Sequence, residues 1–465
     1  MSSEGRLIFA AGTLLLQVVE LPEPLVEWFK HDPRSRGFRA LASDYREIAL
    51  AIRANSLPIV DEATAFAPVD IAFKGSFTPR PHQSQAYSLW RGNQWRGITA
   101  IPTGGGKSLL GCMAMAKLQR PTLILVPTLD LLEQWCSLLR RMFGIEPGVL
   151  GGGERRVEAI TVSTYDSAVI HMEFIGDRFA LLICDECHHL PGPAYRAAAM
   201  QCVAPYRLGL SATPDQGADP ERSGVLTALI GPVVAEVAVA ELEGGVLAPY
   251  VVRSVELNLP SGERAEYEAA REEYRTFVRR WRINFSSPDG WRDFLMAVAR
   301  RPGGRDAFNA YLRQRAIARQ SEAKTAAVWE ILQEHRGERV IIFTADNSTA
   351  YRIGRNFRLP VITHDTKLAE RRGMLDGFRS GIYPVMVTSK VLNEGVDVPE
   401  AAVGIIVSGS GSVREHVQRL GRILRARPGK QAVLYELIAA DTAEKYTMIR
   451  RRRHSAYRNK TGGGR

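Results

Sequence analysis

Apolar positions along the chain fall into three successive rhythms. Near the start, Leu7 to Val19 form an apolar stretch that Gly12-Thr13 interrupts, which predicts two short strands joined by a turn. Leu41, Tyr45, Ile48, Ala49 and Ile52 then recur at helical spacing, and Asn55 and Pro58 close that helix. Residues 1–75 therefore read as a small α+β domain that the chain leaves at Ala67-Pro68. From about 76 onward, short apolar runs alternate with helical stretches: Ile98–Ile101, Thr122–Val126, Ala159–Val162, Leu181–Cys184 and Arg207–Leu210. Strands apolar on both faces and separated by helices predict a parallel sheet covered on both sides. Residues 261–325 lose this rhythm and read as helices; strand-like runs return at Arg339–Phe343, Val361–Thr363, Val385–Thr388, Val403–Val407 and Ala432–Leu437. The expected organisation is a small domain at 1–75, an α/β domain at 76–245, a linker and helical insert at 246–325, and a second α/β domain at 326–465.

Composition narrows the class. With 45% hydrophobic and 24% charged residues, the 465-residue chain has the balance of a globular protein, which excludes a mostly disordered chain, a collagen and a disulfide scaffold. Five cysteines suit a reducing compartment. No apolar run is long enough to span a bilayer. The apolar stretch near the start lacks a basic leader, since Glu4 sits beside Arg6, and no small-residue cleavage site follows it. The expectation is a cytoplasmic protein with no membrane partner.

The formal charge of +11 is concentrated in patches. Residues 274–320 hold eleven basic and three acidic side chains, and residues 445–465 hold eight basic and none acidic, so the rest of the chain is slightly acidic. Positive patches on an acidic body suit a phosphate backbone. In the first patch, Arg279, Arg280 and Arg282 flank Trp281 and are the candidate phosphate contacts. Its aromatics predict a small helical core under a basic solvated face; base stacking by one or two of them stays open. The tail reads equally as a solvated extension or a DNA contact.

The turn after the first run is Ile101-Pro102-Thr103-Gly104-Gly105-Gly106-Lys107-Ser108, followed by a helical pattern. Glycines let backbone N–H groups wrap a phosphate, and the helix N-terminus adds partial positive charge. Lys107 would reach the β- and γ-phosphates of ATP, and Ser108 would ligate Mg²⁺. A second half of such a site needs an acid at the end of another buried strand, and Leu181–Cys184 runs into Asp185-Glu186. Asp185 would hold Mg²⁺ and Glu186 would deprotonate the attacking water. Cys184 and Cys187 beside His188 and His189 invite a zinc reading, but no second ligand pair lies nearby, and Cys184 is more simply a small apolar residue.

At this point the chain resembles a known group. Gly104–Ser108 followed by Asp185-Glu186-Cys187-His188 resembles motifs I and II of superfamily 2 helicases, Ser211-Ala212-Thr213 motif III, and Gln418-Arg419-Leu420-Gly421-Arg422-Ile423-Leu424-Arg425 motif VI. Arg80-Pro81-His82-Gln83 lies where the family places an adenine-reading glutamine. Pro127-Thr128, Ser163-Thr164-Tyr165 and Phe343-Thr344 resemble motifs Ia, Ic and IV, and Thr388-Ser389 through Gly395-Val396-Asp397-Val398-Pro399 resembles motif V. Within the superfamily the chain is most similar to the XPB-like repair and transcription helicases of compact archaeal and bacterial type. Arg36–Leu41 and Tyr45-Arg46 look like the end of that family's damage-recognition domain, and the helical insert falls where the family carries a thumb. One departure is clear: the family's Arg-Glu-Asp motif after motif III is absent from Pro214–Arg222.

The resemblance implies two RecA-like α/β domains, an N-terminal damage-recognition-like domain and a thumb-like insert. It implies an ATP-dependent DNA helicase or duplex translocase, moving 3′→5′, with ATP and Mg²⁺ as cofactors. Arg80, Gln83, Thr103, Gly104, Gly105, Gly106, Lys107, Ser108, Gly395 and Asp397 would bind nucleotide. Arg422 and Arg425 would come from the second domain to the γ-phosphate, with Gln418 sensing the same end. Pro127, Thr128, Thr164, Thr344, Thr388 and Ser389 would touch the DNA backbone with little sequence specificity. A nuclease or a repair or transcription protein would be a partner. Two other classes stay open: the translocase subunit of a restriction or defence system, and a DNA-binding scaffold with an inactive nucleotide site.

Overall fold

Strands apolar on both faces become the buried centres of two largely parallel sheets. The structure is a computed structural model, and it describes residues 5–102, 104–212, 220–237, 250–287, 289–389, 401–408 and 432–445. The chain divides into two units, one built mainly from Met1–Glu241 and the other from Leu242 onward.

The first unit opens with strands β1 (Gly5–Ala10), β2 (Thr13–Gln17), β3 (Lys30–Asp32) and β4 (Gly37–Leu41), helix α1 (Tyr45–Ala54) and strand β5 (Ile59–Glu62). These five strands form one sheet in the order β3-β4-β2-β1-β5, antiparallel except for the β1–β5 pair. The predicted turn at Gly12-Thr13 joins β1 to β2. Helix α1 buries Tyr45, Ile48, Ala49 and Ile52. Leu41 departs from expectation: it ends β4 with an exposed side chain, because a 3₁₀ turn at Ala42–Asp44 breaks the helical spacing from 41 to 45.

The larger sheet of this unit follows with α2 (Pro81–Gly92), β6 (Arg96–Ala100), α3 (Lys107–Leu118), β7 (Thr122–Val126), α4 (Leu129–Phe143), β8 (Gly148–Gly151), β9 (Glu154–Arg156), β10 (Ile160–Thr164), α5 (Tyr165–Ile175), β11 (Leu181–Asp185), α6 (Arg196–Met200), β12 (Tyr206–Ser211), α7 (Pro220–Leu229) and β13 (Val233–Glu236). Its strand order is β13-β6-β12-β11-β7-β10-β8-β9, parallel throughout except the β8–β9 hairpin at the edge. Strands β7, β10 and β11 are buried at every position, which is why they read as unbroken apolar runs. Because β6, β12 and β11 are neighbours and parallel, their carboxyl ends deliver the Gly-rich turn, Ser211 and Asp185-Glu186 to one rim of the sheet.

The second unit holds β14 (Tyr250–Leu257), α8 (Ser261–Arg280), α9 (Gly290–Arg300), α10 (Gly304–Gln320), α11 (Glu322–Glu334), β15 (Val340–Phe343), α12 (Asn347–Phe357), β16 (Val361–Ile362), α13 (Leu368–Ser380), β17 (Val385–Thr388), β18 (Val403–Ile406) and β19 (Ala432–Ala439). Six strands form a wholly parallel sheet in the order β14-β19-β18-β15-β17-β16. Here the sequence reading needs correction: residues 250–257 are not linker but an edge strand paired with β19 along its full length. Helices α8, α9 and α10 pack around Phe277, Phe294 and Ala307, with Tyr274, Trp281, Phe308 and Tyr311 closing the small aromatic core. Among the described residues, no helix is long and apolar enough to cross a membrane.

Candidate nucleotide site and nucleic-acid surfaces

The Gly-rich turn is shaped by backbone conformations that side chains resist. Gly104 and Gly106 have φ of 88° and 84°, and Gly106 is the N-cap of α3. A Cβ on Gly106 would meet the Gln83 side-chain nitrogen at 2.2 Å, so the turn and α2 are packed against bare backbone. Helix α2 holds the turn directly. His82 Nε2 lies 2.8 Å from the Gly105 carbonyl, and Gln83 Nε2 donates to the carbonyls of Gly105 and Gly106 at 3.3 Å each. The Gln83 carbonyl accepts the Arg80 N–H at 2.9 Å, completing a capping box with the start of α2. Gln83, nearly fully buried, therefore directs its amide to the phosphate loop.

Lys107 begins α3 and its ammonium lies 3.2 Å from Glu186 Oε1, both side chains being about nine-tenths buried. Glu186 adopts a left-handed conformation, φ 47°, directly after β11. That kink turns its carboxylate back toward the loop. Asp185 accepts from two donors: the Trp135 indole N–H reaches Oδ2 at 2.8 Å and the Glu186 amide reaches Oδ1 at 2.9 Å. The Tyr165 hydroxyl donates to the Asp185 carbonyl at 3.0 Å. Burial pushes the Asp185 carboxyl up to about 6, and the neighbouring Glu186 charge adds to the rise. Lys107 and the Trp135 N–H oppose it. His188 carries the arrangement onward, its Nδ1 lying 3.2 Å from Ser211 Oγ and 3.5 Å from Glu186 Oε2.

The donor set fits a nucleotide with Mg²⁺. A glycine cradle at a helix N-terminus, an ammonium, the half-buried Ser108 and the Asp185 carboxylate converge on one rim. Cys184 and Cys187 are wholly buried, and desolvation pushes the Cys184 thiol up to about 12. Among the described residues, no group of three or more His, Cys, Asp or Glu could hold a metal ion. Thr103, Gly395, Asp397, Gln418, Arg422 and Arg425 lie outside the described residues.

The candidate DNA contacts are structurally unlike one another. Thr128 and Thr164 are N-caps, accepting from the amides of Leu131 and Ser167 at 3.3 and 3.2 Å. Pro127 is half-buried beside the first of them. Thr344, Thr388 and Ser389 are buried, and the Thr344 and Thr388 hydroxyls donate to the carbonyls of Asp346 and Ser389. Arg279 and Arg282 are exposed, with Arg279 paired to Glu272; the Arg280 guanidinium lies over the Trp281 ring, 5.6 Å from its centroid.

His82 and Trp135 were not among the sequence candidates. His82 stands beside Gln83 in the same short motif, which is a usable signal. Trp135 is one apolar position of an amphipathic helix, 50 residues from Asp185, and nothing local distinguishes it.

Comparison with known proteins adds family information. Residues 7–63 match the Xeroderma pigmentosum group B helicase damage recognition domain, residues 76–216 the type III restriction enzyme res subunit, and residues 321–457 the ERCC3/RAD25/XPB C-terminal helicase. The chain is 36% identical over 418 residues to the DNA 3'-5' translocase XPB2 of Sulfurisphaera tokodaii, covering 90% of this chain and 94% of that one. It is 30% identical to the DNA 3'-5' helicase XPB of Kineococcus radiotolerans, covering 83% of this chain and 64% of that longer one. Saccharomyces cerevisiae Dbp5 bound to RNA and ADP BeF3 superposes with a TM-score of 0.56 at 16% identity, over 82% of this chain and 88% of that one. That likeness shows the fold: two RecA-like α/β domains.

Proposed function

The chain belongs to the XPB helicase family, and from that premise we propose that it is an ATP-dependent DNA helicase or translocase that acts in DNA repair and couples ATP hydrolysis to movement along DNA. The observation that carries the nucleotide half of this reading is the meeting of Lys107 and Glu186 at 3.2 Å on the rim of the first large sheet. Two opposite charges this buried are costly unless they serve each other or a ligand.

The residues suggest a sequence of events. Lys107 exchanges its carboxylate partner for phosphate oxygens, which leaves Glu186 available to orient and deprotonate water. The amides at the start of α3 and the glycine turn hold the phosphates, and α2 fixes that turn through His82 and Gln83. Ser108 and Asp185 are the proposed Mg²⁺ holders, with Trp135 fixing the Asp185 carboxylate. Bound there, Mg²⁺ would neutralise charge on the phosphates. Gln418, Arg422 and Arg425 are proposed to act on the same phosphates. His188 and Ser211 offer a route by which a change at Glu186 reaches the end of β12.

Pro127, Thr128 and Thr164 from the first unit, Thr344, Thr388 and Ser389 from the second, and the basic helical insert are the proposed DNA surfaces. The DNA 3'-5' polarity in the names of the relatives is extended to this chain as part of the proposal. Absence of Arg-Glu-Asp from 214–222 favours duplex translocation over strand separation. A strand-displacement assay beside a triplex-displacement assay tests this: triplex displacement with weak unwinding of a blunt duplex supports it. Efficient blunt-duplex unwinding by the purified chain contradicts the translocation emphasis, and loss of both activities contradicts the function.

A further inference from the structure

The helical insert hides one apolar face and shows another. Its core is already filled by Phe277, Phe294 and Ala307. Yet α9 leaves Trp291, Leu295 and Met296 at 43%, 40% and 43% exposure. Trp291 and Leu295 are four residues apart and so lie on one side of the helix. Single exposed apolar residues are ordinary, but three large ones on one helix form a patch that asks for an occupant.

The surroundings of the patch say what kind. Arg292 and Arg300 lie four residues to either side of Met296 and so on the same side of the helix; the Arg292 guanidinium is paired with Asp289 at 3.2 Å, an exposed pair that a phosphate can replace. The 274–320 segment carries eleven basic and three acidic residues. A protein surface seated on this face would bury those guanidiniums and need matching acids. Nucleic acid satisfies both features at once: bases cover apolar and aromatic side chains while phosphates stay with the arginines. Duplex DNA, however, offers no free base faces; unpaired bases do. The insert already places guanidinium groups over an indole, with Arg280 and Arg301 Cζ at 5.6 and 4.7 Å from the centroid of the Trp281 ring. Trp291 itself is supported from behind by Phe294 and Tyr311, with ring centroids at 5.3 and 5.2 Å, which holds its outer face in place without covering it.

We propose that the outer face of α9, centred on Trp291 with Leu295 and Met296 and bordered by Arg292 and Arg300, binds unpaired bases of single-stranded DNA by stacking. This rests on the reading of the chain as a DNA translocase. Its use is to hold strands that are already open, at a bubble or flap, in a chain that lacks the Arg-Glu-Asp motif.

The test measures binding of the full-length chain, without nucleotide, to fluorescent oligo-dT, to a duplex with an unpaired bubble and to a blunt duplex. Trp291→Ala should weaken oligo-dT and bubble binding by roughly tenfold, within the range of base–aromatic stacking, while blunt-duplex binding stays within about twofold. Trp291→Tyr should restore most of the loss, because a stacking surface returns. Met296→Glu should weaken the same two substrates, which guards against a folding defect peculiar to the tryptophan site. Equal losses on all three substrates, no loss on any, or failure of Tyr to rescue would overturn the proposal. So would a variant that keeps its DNA binding but changes oligomeric state, since the patch would then be a contact between copies of the chain. ATPase activity stimulated by blunt duplex is measured alongside. If it persists in Trp291→Ala, the translocase reading stands whatever becomes of the stacking face.

Discussion

Trp135 donates its indole N–H to Asp185 Oδ2 at 2.8 Å, joining the middle of α4 to the end of β11 across 50 residues. The ring is buried, and a Cβ at Gly111 would meet it at 2.7 Å, so α3 packs closely over the same indole. The bond favours the ionised carboxylate and fixes its plane. Trp135→Phe keeps most of the volume and removes only the donor. It should raise the Mg²⁺ concentration for half-maximal ATPase by about tenfold, the equivalent of ~1.4 kcal/mol and near the lower value for a hydrogen bond to a charged group. A Mg²⁺ titration with a thermal melt checks this. An unchanged midpoint in a folded variant would mean the indole does not serve the metal acid.

Burial raises the Asp185 carboxyl to about 6, so the folded protein binds this proton more tightly than an unfolded chain does. Ionised Asp185 therefore costs stability above about pH 6, and that cost is relieved as pH falls toward the ordinary carboxylate range. Metal and proton compete for the same oxygens. ATPase activity should show an acid limb near pH 6 at low Mg²⁺, moving to lower pH by up to about one unit for each tenfold rise in Mg²⁺. A limb that ignores Mg²⁺ would assign it to another group.

Glu186→Gln removes the base but keeps the shape. It also breaks the ion pair with Lys107, leaving the ammonium available to phosphate. Nucleotide binding should be equal to or tighter than wild type, while turnover falls by roughly 10²–10⁴. Fluorescent-nucleotide titration and steady-state ATPase assays separate the two effects. A collapse of affinity would make Glu186 a structural residue.

The two halves of the nucleotide site were legible because each is local. Gly104–Ser108 and Asp185-Glu186 sit at strand ends that read as apolar runs, and parallel neighbours bring such ends to one rim. Trp135 was not legible, since its contact is made only once α4 and β11 pack together. Strand β14 escaped because an edge strand is half exposed; Tyr250-Val251-Val252-Arg253-Ser254-Val255-Glu256-Leu257 lacks the unbroken apolar run of a central strand. Leu41 was misplaced because 3.6-residue spacing also occurs by chance across a strand, a 3₁₀ turn and a helix.

Changing Arg279, Arg280 and Arg282 together to Ala should weaken DNA binding about equally for all sequences. It should lower the magnitude of the log–log salt slope by about 0.7–0.9 per lost phosphate contact. Arg279 is already paired with Glu272 and Arg280 rests on Trp281, so a loss smaller than three full contacts is expected. Basal ATPase without DNA should be unchanged. A DNA titration across low to moderate salt decides it, and an unchanged slope would reduce these arginines to a solvated helical face.

The most direct measurement of the central claim is ATPase activity with and without duplex DNA, made on the wild type and on Lys107→Ala, with DNA binding measured on the same preparations. Lys107 begins α3, and among the described residues its ammonium meets the Glu186 carboxylate at 3.2 Å. The account predicts DNA-stimulated turnover in the wild type, turnover below a tenth of that in the variant, and DNA affinity unaltered by the change. Retained turnover in Lys107→Ala, or a wild type whose ATPase ignores DNA, would contradict it.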